Sequence, residues 1–216
     1  MAFVSADVRN PAFLGYPYLA GARVLNQRTR TLDFTASGKA IRYAEEGQRW
    51  SMSIPVVDES GSMSRRLQAY QARDQTTLLQ ISVPQSPDIS SEIPLVPPII
   101  TVSTDQTAGS GRVDFVNGGT VGTDDLTLYT GWFFKFKDAD HHKVYMVGNR
   151  ADTSLAGAAT SRVTPVPNLT AAIKAGDEIE LWPKMRCVWQ GFATVQELTL
   201  ERRVSQIYTC IFDEAF

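Results

Sequence analysis

Apolar and polar side chains alternate along the stretch Arg49-Trp50-Ser51-Met52-Ser53-Ile54-Pro55-Val56. Successive side chains of a β-strand point to opposite faces, so a period of two places Trp50, Met52, Ile54 and Val56 on one face. A strand with one apolar face is half buried. We therefore predict that these four side chains belong to the core of a β-sheet.

Shorter strands are predicted on the N-terminal side of this stretch, at residues 22–25 and 31–34. Further on, Ile41 and Tyr43 alternate with polar neighbours and lead into Glu45-Glu46-Gly47. The glycine favours a turn, so the two alternating runs on either side of it predict a hairpin.

One segment has helical spacing. Met63, Leu67 and Tyr70 recur at i, i+4 and i+7, which places them on one face of a helix of about three turns. The preceding Ser60-Gly61-Ser62 offers a hydroxyl that can cap its first turn. We predict a single short helix here, with Arg65, Arg66 and Arg73 on its solvated side.

The middle of the chain is a series of short apolar runs separated by glycine and aspartate turns. We predict strands at 99–103, 111–116, 126–130, 132–137, 143–147, 162–165 and 178–182. Residues 169–175 predict a helical turn between the last two. Many short strands with regular turn signals are typical of a small barrel or sandwich.

Composition divides the chain into three segments. Five prolines fall within 84–98, too many for a central strand or a helix interior. The formal charge is +3 for 1–83, −4 for 84–184 and −1 for 185–216, which sums to the −2 of the whole chain. We predict a discontinuous domain built from 1–83 and 185–216, interrupted by an inserted domain at 84–184.

The overall composition weighs against several function classes. The chain has 216 residues, a net charge of −2, two cysteines and two histidines. A dedicated nucleic-acid binder usually carries a positive balance, and no apolar run approaches the ~18 residues of a membrane span. We expect no enzyme, no cofactor, no metal, no membrane insertion and no nucleic-acid recognition.

Three groups of residues carry side chains that could support chemistry. Asp138, Asp140, His141 and His142 could ligate a metal, but a polar hairpin tip is the favoured interpretation. Asp177, Glu178 and Glu180 could supply a carboxylate pair for glycoside hydrolysis, and a surface strand is favoured there. Cys187 lies on an alternating strand and is predicted to be a small core residue.

Aromatic and basic residues interleave from Trp132 to Lys137. Alternation places Trp132, Phe134 and Phe136 on the core face, and Phe133, Lys135 and Lys137 on the other. An exposed Phe133 flanked by two lysines could stack a base or a sugar. Phe133, Lys135 and Lys137 are therefore the candidate ligand or partner contacts on the inserted domain.

The order of these segments resembles a known family. The aromatic strand around Trp50, the helix around Leu67-Gln68-Ala69-Tyr70, the run Gly131-Trp132-Phe133-Phe134-Lys135 and the later Ala175-Gly176-Asp177-Glu178-Ile179-Glu180-Leu181 carry the likeness. Together they resemble the distal tail proteins of long-tailed bacteriophages. The closest form is the one in which a small oligonucleotide/oligosaccharide-binding (OB) type barrel is inserted into a β-sandwich tube domain.

This resemblance implies a structural role. Distal tail proteins form a hexameric ring in the virion that joins the tail tube protein to the tail-tip hub and tape-measure-associated proteins, and the barrel can hold side fibres or collar proteins. They carry no catalytic residues. Residues 1–20 and the turn at 45–47 are predicted to contribute to contacts between subunits or with the tube.

Three alternatives stay open at this point. The first is a binding module whose OB-like barrel recognises carbohydrate or single-stranded nucleic acid. The second is a tail terminator or another minor tail protein. The third is a hydrolase that uses Asp177, Glu178 and Glu180 or the cluster from Asp138 to His142.

Overall fold

The computed structural model describes residues 12–13, 16–17, 23–27, 30–34, 40–44, 49–58, 62–73, 78–84, 99–117, 126–138, 141–150, 153–155, 160–200 and 203–215. Within them lie one helix and eighteen strands. The helix is α1 (Met63–Arg73). The strands are β1 (Ala12–Phe13), β2 (Tyr16–Pro17), β3 (Arg23–Gln27), β4 (Arg30–Phe34), β5 (Ala40–Ala44), β6 (Arg49–Asp58), β7 (Leu79–Ser82), β8 (Ile100–Val102), β9 (Val113–Asn117), β10 (Leu126–Leu128), β11 (Phe133–Phe136), β12 (Val144–Val147), β13 (Thr153–Leu155), β14 (Ser161–Val163), β15 (Pro165–Val166), β16 (Ile179–Glu180), β17 (Lys184–Leu200) and β18 (Arg203–Glu214). The predicted fold class, mainly β with a short helix, is confirmed.

The largest sheet combines strands from both ends of the sequence. Its order is β3-β6-β18-β17-β7, and β6 pairs antiparallel with both β3 and β18. The alternation of β6 is confirmed, because Trp50 is 3% exposed while Met52, Ile54 and Val56 are fully buried. Side chains of β18 join the same core from across the strand pair, where Cys210 lies opposite Ile54.

The predicted hairpin around residues 45–47 is wrong. β5 pairs with β4, from Arg30 opposite Ala44 to Phe34 opposite Ala40. Residues 51–53 of β6 pair with β3 on one edge and with β18 on the other. β5 therefore has no free edge of β6 to pair with at these residues. Alternation identified each strand, but it carries no information about which strand becomes its neighbour.

The helix follows its sequence spacing. α1 begins at Met63, directly after Ser62, whose carbonyl accepts the N–H of Arg66 at 3.2 Å. Met63 and Leu67 are fully buried, and Tyr70 packs its ring on Trp189 with centroids 4.7 Å apart. Arg65 and Arg66 are exposed, as the solvated-face interpretation expected.

Two antiparallel sheets of the middle segment are linked at their ends by an isolated bridge and by a continuous piece of chain, an arrangement that we call the circuit. β14 pairs with β9 and β9 with β8, and the bridge from Thr101 to Glu178 then leads to β16. The circuit continues through β11 and β12 to β15. Because β15 follows β14 after one residue, Thr164, the last strand is the continuation of the first. This is a barrel-like element.

One hydrophobic cluster fills this element. All of its members lie between residues 100 and 182, and the aromatic rings of Phe115, Phe134, Phe136 and Tyr145 contact one another at its centre. Phe115 and Phe134 meet edge to face with centroids 5.7 Å apart, a favoured geometry for aromatic pairs. The aromatic run around residue 134 therefore supplies much of this core.

The helical turn predicted at 169–175 is wrong. Leu169 exchanges backbone hydrogen bonds with Gly109 and Ser110, and Ile173 does so with Gln106. These long-range bonds hold the segment against residues 106–110, so backbone groups that a helix would use internally are already engaged.

The described residues form two compact units. One comprises those within 12–79 and 187–215, and the other those within 80–186. The predicted insertion at 84–184 falls within the second unit, and its status as an inserted domain stays a prediction.

Candidate functional site

The three candidate contacts lie on or next to β11, on the face directed away from the hydrophobic cluster. Phe134 and Phe136 are fully buried in that cluster, while Phe133, Lys135 and Lys137 alternate with them. Cross-strand partners share a face, so Phe133 lies beside Met146 and Lys135 beside Val144 on β12.

Phe133 is not an exposed stacking platform. Its side chain is only 8% exposed, and Val144 on the same face is fully buried. Phe133 and Val144 are buried although neither belongs to the hydrophobic cluster of the barrel-like element. Other parts of the protein must therefore cover this second face of the sheet. The expectation of an exposed ring was wrong because alternation gives the direction of a side chain, not whether anything packs on that face.

The two lysines face carboxylates. Lys137 Nζ lies 2.7 Å from Glu178 Oε2, and the backbone N–H of Lys137 donates to the carbonyl of Glu178 at 2.9 Å. Lys135 is half-buried and lies opposite Glu180 in the register of β11 and β16. Positive and negative groups thus alternate on this surface, an arrangement that gives a polyanion little net attraction.

The acidic residues weighed as a catalytic pair have structural partners. Asp177 Oδ2 accepts the backbone N–H of Lys174 at 2.8 Å and so closes the turn before β16. Glu178 is the partner of Lys137. These contacts favour the surface-strand interpretation over the hydrolytic one.

The structure separates the residues of the polar loop after β11. Asp138 and His142 are exposed, whereas His141 is 5% exposed and packs on Phe136 with ring centroids 5.4 Å apart. Asp140 lies outside the described residues. In the described part of the chain, no three His, Cys, Asp or Glu side chains are grouped as a metal ion would require.

Both cysteines are buried in the first unit. Burial raises the pKa of Cys187 to about 12, and the neighbouring Glu214 and Asp213 carboxylates add to the rise. Burial likewise raises the pKa of Cys210 to about 12. A thiol of this kind is a poor nucleophile at neutral pH, so the interpretation of Cys187 as a small core residue agrees with its surroundings.

Sequence reasoning missed the polar anchors of the second unit. Asp114 is 8% exposed and accepts from Arg162 at 3.1 Å across the β9–β14 pair. Tyr145 was assigned to a strand, but its hydroxyl also lies 2.9 Å from that of Thr170. No local pattern marks such contacts, because the partners are 25 or more residues apart.

Comparisons with protein-family models and with curated proteins find no match to this chain. Among the described residues, no helix has the length and apolar character needed to cross a membrane. The predicted contacts at 1–20 fall largely outside the described residues, and those at 45–47 do so entirely.

Proposed function

We propose that this chain is a structural protein of a bacteriophage tail tip, present in the virion as a hexameric ring. In this role the ring continues the tail tube protein on one side and meets the hub and tape-measure-associated proteins on the other. The inserted barrel offers a site for side fibres or collar proteins. The proposal starts from the sequence resemblance to distal tail proteins.

The observation that carries the proposal is the composition of the largest sheet. β3 and β6 come from the first part of the chain and β17 and β18 from the last, and the antiparallel pair of β6 with β18 joins the two parts in one sheet. The barrel-like element lies between them in sequence. This arrangement supports a tube-type domain with a barrel inserted into it.

A second observation supports assembly. β18 pairs with β6 as far as Gln206, opposite Asp58, but continues back to Arg203. Among the described residues, 203–205 pair only with 198–200 of β17. β7 has four residues and can cover only a short part of the seventeen in β17. We call residues 198–200 and 203–205, together with the connection between them, the hairpin arm.

The edges of the hairpin arm suit a ring. Unpaired strand edges present N–H and C=O groups that can bond a neighbouring chain. A closed ring needs heterologous contacts, in which one patch of a subunit meets a different patch of the next. An arm that continues past the described part of β6 can reach such a second patch.

The binding-module alternative has less support. It relied on Phe133 as an exposed stacker, and that ring is buried beside lysines that face carboxylates. The choice between a distal tail protein and a tail terminator or other minor tail protein depends on the insertion. The barrel-like element within 80–186 favours the distal tail protein.

The test is the mass and shape of the purified protein. We expect mass photometry to show a species of about six chains, and negative-stain images to show a ring with a central channel. Because some tube components assemble only on a partner, the measurement is repeated with the phage's tail tube protein added. A monomer under both conditions, together with a salt-sensitive complex with an oligonucleotide, would replace the proposal by the binding-module alternative.

A further inference from the structure

Residues 167–174, which we call the closing segment, complete the core of the second unit. Leu169 is 2% exposed and Ile173 is 1% exposed, and both belong to the hydrophobic cluster. On one side, backbone hydrogen bonds of 2.7 to 3.0 Å join these two residues to Gln106, Gly109 and Ser110. This side is a short backbone ladder.

The other side of the closing segment depends on two aromatic side chains. The hydroxyl of Tyr145 lies 2.9 Å from Thr170 Oγ1 and accepts the backbone N–H of Thr170 at 3.1 Å. His141 Nε2 lies 3.0 Å from the carbonyl oxygen of Ala172. The closing segment is therefore held by backbone on one side and by side chains on the other.

The contact with Ala172 fixes the tautomer of His141. A carbonyl oxygen only accepts, so Nε2 must carry the hydrogen and Nδ1 must be bare in the neutral ring. Nδ1 is buried and has no hydrogen-bond partner among the residues that the structure describes, while the ring packs on Phe136. The site is thus built for a neutral imidazole with one donor.

We propose that His141 is an acid-sensitive latch on the closing segment. Protonation places a second N–H at Nδ1, where the structure offers no acceptor, and a buried unsatisfied donor is costly. Water can satisfy that donor if His141 leaves its site, and the bond to Ala172 is then lost. The latch concerns the second unit alone and does not depend on the role in a phage tail.

Charged groups near the latch lie on each packed element. On its own loop, Asp138 and His142 are exposed, Lys143 is 2% exposed and engaged in an interaction, and Asp140 lies outside the described residues. His141 receives no side-chain bond from any of them at Nδ1.

The two facing elements carry lysines. β11 leads into Lys137, which is bound to Glu178, and the closing segment ends at the exposed Lys174. A lysine cannot accept a proton from Nδ1–H, so neither element supplies the missing acceptor.

The experiment measures amide hydrogen exchange in the full-length protein at about pH 7.5 and about pH 5.5, the range in which imidazoles titrate. After correction for intrinsic exchange rates, we expect protection of the Thr170 and Ala172 region to fall by up to about tenfold at the lower pH, because one proton taken up only on opening allows no larger change over this range. Since the chain has two histidines, His142→Gln is the matched control and should keep this loss.

His141→Gln should abolish the pH dependence, because glutamine can donate to Ala172 but does not titrate in this range. If this variant does not fold, nitrogen NMR of the wild-type imidazoles decides instead. A bare Nδ1 and protonated Nε2 at neutral pH are required. Three results would overturn the proposal. The wild-type closing segment could be equally protected at both pH values, or His141→Gln could lose as much protection at low pH as the wild type. The third is a neutral imidazole of His141 with its hydrogen on Nδ1.

Discussion

Gly148 lies where β12 meets the stretch that closes the barrel-like circuit. Its N–H donates to the carbonyl oxygen of Thr164 at 2.8 Å. A Cβ placed on Gly148 would lie 2.3 Å from Val166 Cγ2 and 3.2 Å from that same carbonyl oxygen. Valine is β-branched and stiff, and the second neighbour is backbone, so neither can yield cheaply.

We predict that Gly148→Ala lowers the free energy of unfolding by about 1–3 kcal/mol through overpacking. Urea denaturation of the purified variant provides the measurement. Gly111→Ala is the matched control, because its nearest atom, Asn168 Oδ1, would be 3.4 Å away, and we expect a change within about 0.5 kcal/mol. Equal midpoints for both variants would mean that the closing stretch is not held tightly against β12.

The two thiols give a second prediction at this scale. With a pKa of about 12, on the order of one thiol in ten thousand is ionised at about pH 8, against roughly one in ten for a thiol with the ordinary value of 9.0. We therefore expect alkylation of Cys187 and Cys210 to be at least about a thousandfold slower in the folded chain than in urea. Rapid labelling of the folded chain would show that the core of the largest sheet opens readily.

The same cysteines determine the sign of an alkaline effect on stability. Their pKa is raised by folding, so above about pH 9 the unfolded chain loses protons that the folded chain keeps. Each thiol then lowers the free energy of unfolding by up to about 1.4 kcal/mol per pH unit until its folded pKa is reached. Comparing wild type with Cys210→Ala across pH 8 to 10 isolates the slope due to one thiol.

At the scale of elements, the hairpin arm can be removed without touching the rest of the sheet. Glu197 pairs with Gln206, so replacing 198–205 by Asn-Gly joins two paired residues through a favoured two-residue turn. Ring assembly should be lost in mass photometry, while the thermal midpoint stays within a few degrees. If the variant still forms the ring, the hairpin arm is not needed for assembly, although the proposal of a ring would stand.

Local patterns predicted elements better than partners. Two patterns were sufficient to identify their elements: the alternation from Trp50 to Val56 and the helical spacing of Met63 and Leu67. Each pattern reflects burial on one face of a single element. The pairing of β5 with β4 and the conformation of the closing segment were not predictable, since both depend on backbone groups outside the segment itself.

The candidate site shows the same limit. Alternation correctly placed Phe134 and Phe136 in the barrel core, and it correctly directed Phe133 to the opposite face. The burial of Phe133 comes from whatever packs on that face, and the ion pair of Lys137 comes from Glu178, 41 residues away. Neither is encoded in the spacing of β11.

At the scale of the whole molecule, the second unit has the features of an independently folding domain. The described members of its hydrophobic cluster all lie from residue 100 to residue 182. Its chain ends are also joined, because the N–H of Val83 donates to the carbonyl of Pro183 at 3.0 Å. Domains with their own core and adjacent termini tolerate insertion into another domain.

We therefore predict that residues 80–186 fold when produced alone, with dispersed NMR signals and a single cooperative urea transition. Phe115→Ala serves as the internal probe, since its ring is fully buried in the cluster and its removal should cost about 3–5 kcal/mol. The cost should be the same in the fragment and in the whole protein if the cluster folds by itself. A fragment without a cooperative transition, or a Phe115→Ala cost that differs between the two, would mean that the barrel-like element depends on the rest of the chain and was not acquired as a separate domain.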